Sequence, residues 1–135
     1  MVAARLIFAS CLAACLVFSL PVAAHHSFAA YESVKRISLE GAATSVQWGN
    51  PHVVIRMLTQ ASGGEAPQEW TLVTSNPGIL KRFGWTQRSV TPGTRIRVLC
   101  YPKRDGSHAG RLITLFQLDS DQTLQTKLSG SQIAD

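Results

Sequence analysis

The stretch "ISLEGAATSVQWGNPHVVIRML", residues 37–58, decides the fold. Ile37, Leu39, Gly41 and Ala43 alternate with polar neighbours, the period of a strand with one face turned inward. The apolar positions then change parity to Val46 and Trp48, as a β-bulge around Gly41 to Thr44 would produce. A long, bent first strand is therefore expected. "GNP" at 49–51 turns the chain, and "HVVIRML" at 52–58, rich in β-branched residues, returns as a second strand.

Outward from that pair the pattern stays mostly β. "ASGGEAP" at 61–67 is a flexible turn, and "EWTLVT" at 69–74 is a third strand with Trp70 and Leu72 on one face, so strands two and three form a hairpin. The pattern then breaks. Ser75 or Asn76 can cap a helix, Pro77 suits its first turn, Ile79, Leu80 and Phe83 make an apolar stripe, and Gly84 can end it. Pro92-Gly93 fits the centre of a type II turn, after which Ile96, Val98 and Cys100 point inward from strand four, with Arg95, Arg97 and Tyr101 outward or at the rim. Asp105-Gly106 makes the next hairpin turn, and Leu112 to Leu118 returns as strand five. Three strands, a short helix and two more strands is the element order of a five-stranded Greek-key barrel of the OB type: an all-β fold with one short helix. The barrel is expected over residues 34–118, after an N-terminal arm at 25–33 carrying Phe28 and Tyr31 as apolar anchors. Residues 119–135 are polar without a period and read as a flexible C-terminal tail.

The 135 residues carry a formal charge of +5 and suffice for one small domain with a single modest core. The first 24 differ from the rest. Arg5 supplies a positive start, Leu6 to Leu20 is almost wholly apolar, and Val22-Ala23-Ala24 offers the small residues a signal peptidase reads. The apolar run is shorter than the ~20 residues a spanning helix needs, and Pro21 breaks it. Residues 1–24 are thus expected to be a signal peptide, cleaved after Ala24, which places the protein in the periplasm or outside the cell with no membrane span left. Leu12-Ala13-Ala14-Cys15 also reads as a lipoprotein box, but the apolar run continues beyond Cys15, against that route. Cleavage removes Cys11 and Cys15, leaving Cys100 as a buried strand thiol with no disulfide partner. The remaining basic residues are scattered rather than set in a stripe with aromatic platforms, so no nucleic-acid partner is expected.

"AHHSF" behind the apolar leader, "GAATSVQWGNPHV" across the first turn, "NPGILKRFGW" in the helix and "VTPGTRIRV" before strand four resemble a family of small secreted bacterial proteins known as a domain of unknown function. The resemblance spans roughly residues 24–118. It implies an OB-like secreted domain and brings no established activity; where members of that family often carry an acidic residue soon after "HHSF", this chain has Tyr31-Glu32.

The chemistry-bearing residues are the four histidines. Cleavage after Ala24 makes His25 the amino terminus, and its α-amine and Nδ1 can chelate one metal ion as a pair. A second imidazole would complete a T-shaped set of three nitrogens resembling the histidine brace of secreted copper proteins, which suits Cu(II), with Zn(II) also accepted. His52, stiffened by Pro51, is the candidate second arm, so the expected metal set is His25, His26 and His52. A cut one residue earlier would start the chain at Ala24-His25-His26, where amine, two backbone amides and the His26 imidazole bind copper without a fold, although Pro21 then occupies the −3 position. The plainer reading is that His25 and His26 are polar residues after a leader and that His52 packs against Trp48 or bonds a turn carbonyl. His108, in the turn "RDGSHAG", reads as solvated.

The competing reading is a metal-free module for a small anionic ligand or a periplasmic protein partner, with Trp48, Asn50, Trp70, Trp85 and Tyr101 as candidate contacts and Lys103, Arg104 and Arg111 attracting an anion. Against it, most Trp residues of so small a domain must fill its core. No Ser/His/Asp motif, acid pair or Gly-rich phosphate loop is present, so no catalytic residues are assigned.

Overall fold

The computed structural model describes residues 29–61 and 63–126. The signal peptide, Phe28, His25 and His26 expected from the sequence lie outside the described residues. Six strands and one helix follow in order: β1 (Ile37–Gln47), β2 (Val54–Thr59), β3 (Glu69–Val73), α1 (Pro77–Arg82), β4 (Arg95–Pro102), β5 (Ala109–Gln117) and β6 (Thr123–Gln125). β1 pairs antiparallel with β2 through its second half and with β4 through its first, β2 pairs with β3, and β4 pairs with β5. Parallel pairing of β3 with β5, Thr71 opposite Ala109 and Val73 opposite Arg111, closes the ring. The result is the closed five-stranded OB-type barrel with one short helix, in the order 1-2-3-5-4-1. Among the described residues no helix is long and apolar enough to cross a membrane.

The bend in β1 is where its parity change placed it. The register with β2 shifts between Ala43 and Ser45, so one strand can serve two neighbours on different walls of the barrel. Gly41 makes the close approach possible, since a Cβ there would collide with the Leu58 carbonyl. The type II turn expected at Pro92-Gly93 has Gly93 at φ 91° and Thr94 N–H donating to the Thr91 carbonyl at 3.0 Å. Gly93 also donates its N–H to Ala43 at 2.8 Å, tying that turn to the bulge.

Helix α1 forms for the reasons its sequence supplies. Asn76 is the N-cap, its side-chain oxygen accepting from the Ile79 N–H at 2.9 Å; Pro77 opens the first turn, and Lys81 and Arg82 face the negative end of the helix dipole. Leu80 is fully buried, whereas Phe83, expected on the same stripe, is partly exposed. The core within the barrel consists of Ile55, Met57, Leu72, Ile96, Val98, Cys100, Leu112 and Leu115, with Trp85 packed beside Leu80 and Leu124 in the same cluster.

One expectation is corrected and one is refined. Part of the segment read as a flexible tail is a sixth strand, pairing Thr123–Gln125 with Thr114–Phe116 of β5. It is ordered by partners far away in the chain: Leu124 is buried, the Trp85 indole N–H donates to the Gln125 carbonyl at 2.8 Å, and the Thr126 hydroxyl donates to Leu112 at 2.7 Å. Tyr101, expected outward or at the rim, is buried. It keeps the outward side expected for it: the extra residue of the register shift, Ile113, is on β5, so Tyr101 shares a face with its partner Arg111 and is covered by the Arg36 and Arg111 guanidinium groups.

Candidate functional site

The hairpin between β4 and β5 organises one mouth of the barrel. Asp105 sets its turn, accepting from the Ser107 N–H at 3.0 Å and the Ser107 hydroxyl at 2.6 Å while pairing with Lys103 Nζ at 2.9 Å. These hydrogen bonds, Ser107 first, hold its carboxyl well below the usual carboxylate range, and the same contact with Asp105 raises the Lys103 ammonium. On the far edge of this hairpin lies the N-terminal arm. Tyr31 bridges Lys103 antiparallel, the Glu32 N–H donates to the Pro102 carbonyl at 2.8 Å, and the Arg104 N–H donates to the Ala30 carbonyl at 2.9 Å. The arm thus lies along the end of β4 through a single bridge and two backbone hydrogen bonds. Burial there pushes the Tyr31 phenol up.

The basic residues expected to attract an anion have internal partners. Lys103 is held by Asp105; Arg104 donates from Nε to the Tyr31 carbonyl at 3.0 Å and stands 4.0 Å from Glu32. The Arg111 guanidinium lies 5.1 Å from the centre of the Tyr101 ring, which Arg36 also approaches at 5.6 Å, and burial lowers the Arg111 pKa. Their charge fastens the arm and the rim.

Beside the hairpin, on the same mouth, the sequence reading missed a groove of about 550 Å³. Its walls include Ser38 and Glu40 of β1, Glu65 and Gln68 of the β2–β3 loop, Trp70 at the start of β3, and His108. The His108 ring is stacked on Trp70, centroids 5.3 Å apart and planes 27° apart, because the parallel β3–β5 closure sets the start of β3 against the start of β5. Glu40 is held by Arg97, which donates from Nε and Nη2 to one carboxylate oxygen at 3.0 and 2.9 Å. Among the described residues no Lys or Arg lines the groove, and Glu40 and Glu65 do, so its chemistry favours a neutral or cationic group over an anion. Nothing local in "RDGSHAG" signals this pairing.

His52 lies elsewhere. It precedes β2, half-buried, and its Nδ1 donates to the Thr74 carbonyl at 3.0 Å. Asn50 is exposed in the turn before it, joined to Pro51 by a cis peptide. Trp48 and Trp70 pack partly against the core and Trp85 is buried in it, so only Trp70 among the three contributes to the groove. Among the described residues no three His, Cys, Asp or Glu side chains come together as a metal-binding group. Cys100 is a buried free thiol, its pKa pushed up to about 12 by burial.

No curated protein matches the chain in sequence. Crystal structures of the mitochondrial single-stranded DNA-binding protein Rim1 of S. cerevisiae are similar at a TM-score of 0.48 and 10% identity; one covers 62% of this chain and 93% of Rim1, a second, selenomethionine-labelled, 69% and 97%. The model of a family of unknown function, DUF6152, matches residues 13–112, nearly the whole barrel and the segment before it, and the chain belongs to that family.

Proposed function

We propose that this is an exported small binding protein that chelates Cu(II) or Zn(II) through the nitrogen donors of its mature N-terminus, His25 and His26, together with a histidine of the barrel, for which the sequence reading names His52. The observation that supports this reading is the fastening of the arm. A terminal chelate gains a protein ligand only if the chain leading to it starts from a fixed point, and residues 30–32 are bonded to Pro102 and Arg104 by two backbone hydrogen bonds and the Tyr31–Lys103 bridge. Ala30, five positions after His25 in sequence, is one of those fixed points.

The test has two steps. Mass spectrometry of the protein recovered from its native host fixes the first residue, expected to be His25. Titration of that material with Cu(II) is expected to give tight 1:1 binding that a His25→Ala variant loses, and that weakens below about pH 6 as protons compete for imidazole and amine. Equal binding by both proteins rejects His25 as a ligand.

The groove favours a second reading, a metal-free module. With Trp70, His108, Gln68 and two carboxylates in its walls and, among the described residues, no Lys or Arg, it suits a neutral or cationic group rather than the anionic ligand expected from the sequence. Ligand-dependent change in Trp70 emission, unaffected by a chelator, would select this reading.

A further inference from the structure

We propose that the groove beside the β4–β5 hairpin binds a small organic amine in its protonated form, one ammonium group beside Glu65 and an apolar body on Leu39 and Trp70. The inference rests on the reading of the groove as a site for a neutral or cationic group. It commits that reading to one charge and one kind of body.

The strand register builds the floor. Leu39 pairs with Val98 and Trp70 with Met57, and paired residues share a face of the sheet. Val98 and Met57 are fully buried, so Leu39 and Trp70 are inward-facing residues near the starts of β1 and β3. Both are only partly buried and both line the groove, which gives it an apolar floor at the barrel mouth. The volume of about 550 Å³ is that of a small-molecule site, and an apolar floor with a few polar groups is the usual make-up of one.

The walls are held before any ligand arrives. The Gln60 N–H donates to the Glu40 carbonyl at 2.9 Å, which fixes the start of the β2–β3 loop against β1. Thr59 and Gln68 close the two ends of that loop: the Thr59 N–H donates to the Gln68 carbonyl, and the Gln68 N–H to the Thr59 hydroxyl, both at 2.9 Å. On the facing side the Thr71 N–H donates to the His108 carbonyl at 3.0 Å, and the His108 ring is stacked on Trp70. Walls already in place reduce the ordering cost of binding.

Charge selects the ligand. The chain has a formal net charge of +5, yet among the described residues no Lys or Arg lines this groove and two carboxylates do. The charge of Glu40 is offset by Arg97, whose two donors both go to Oε2, so Oε1 is still an acceptor. Glu65 is exposed and pairs with no basic residue among the described ones. That leaves the single negative charge of Glu65, which one ammonium group matches; the amide oxygens of Gln60 and Gln68, on the same wall, suit its N–H donors.

The test uses the folded protein at neutral pH and three probes sharing one phenylethyl body: phenethylamine, protonated; phenethyl alcohol, neutral; and hydrocinnamate, anionic. Saturable movement of the Trp70 indole N–H signal in NMR spectra reports binding, with the Trp85 indole, bonded to Gln125, as the unmoved reference. Phenethylamine is expected to bind tightest. Glu65→Gln, a change at an exposed loop position, is expected to weaken it about two- to fivefold, the range of an exposed charge pair, with phenethyl alcohol unchanged. Equal affinity for the amine and the alcohol, or an amine affinity unchanged in Glu65→Gln, overturns the amine assignment and leaves the groove a site for neutral molecules. Tightest binding by hydrocinnamate, or no saturable movement with any probe, overturns the reading of the groove itself, a failure separate from that of the amine.

Discussion

The backbone N–H of Arg104 donates to the carbonyl of Ala30 at 2.9 Å, across 74 positions of sequence, and so ties the segment before the barrel to the β4–β5 hairpin. The Arg104 side chain reinforces the tie through the Tyr31 carbonyl and Glu32. Arg104→Ala keeps the backbone bonds and removes the side-chain ones. Because both groups are solvent-exposed, the expected loss of global stability is below about 1 kcal/mol. The local effect should be larger: amide exchange at Glu32 is expected to quicken while that of core residues such as Val98 is unchanged. Equal exchange at Glu32 would mean that the side chain does not hold the arm.

Asp105 predicts the acid behaviour of the same hairpin. Its folded pKa is depressed by Ser107 and Lys103, so its stabilising contribution is complete above the ordinary carboxylate value near 3.9 and is lost as pH falls through the lower folded value. Asp105→Asn should therefore be less stable than the unaltered protein at neutral pH and should approach it in stability as acid is added below about pH 4. Denaturant titrations at pH 7 and pH 3 check this; a difference that grows toward acid contradicts it.

The sixth strand should matter to the whole barrel. Leu124→Ala removes a buried side chain from the cluster around Trp85 and is expected to cost about 2–3 kcal/mol in urea unfolding, at the low end for a buried leucine because the site lies near the chain end. Trp85→Phe, which loses the indole hydrogen bond to Gln125, should cost at least the ~1 kcal/mol of that bond. Wild-type stability in both would mean that β6 is ornamental.

Cys100, buried with its pKa pushed up to about 12, should resist iodoacetamide at pH 8 in the folded protein and react once urea unfolds it. The thiol's contribution to stability is whole below the unfolded value near 8.5 and is lost as pH rises toward 12, so alkaline unfolding should be delayed in Cys100→Ala relative to the unaltered chain once its cavity cost at pH 7 is subtracted.

Much of the barrel was legible because its signals are local. The parity change after Ala43 marks the bulge, Asn76-Pro77 marks the helix start, and Pro92-Gly93 marks the turn; each is a backbone requirement met by neighbouring residues. What was not legible depends on contacts made at long range. Leu124 is one apolar residue in a polar segment, and its burial needs Trp85, 39 positions earlier. Tyr101 faces outward as its alternation with Cys100 implies, but its burial under Arg36 and Arg111 needs side chains 65 and 10 positions away. The pairing of Trp70 with His108 exists only once β3 and β5 close the barrel in parallel, a join that no periodicity encodes. His52 drew the metal reading because Pro51 stiffens it; its contact with the Thr74 carbonyl, 22 positions away, has no local signal.

The most direct test of the account is where Cu(II) sits on the folded protein. In amide NMR spectra of the folded protein, one equivalent of Cu(II) is expected to broaden first the signals of Ala29 and Ala30, leaving those of core residues such as Val98 and Leu115 sharp. Unchanged Ala29 and Ala30 signals after a stoichiometric addition would contradict a metal site at the N-terminal histidines.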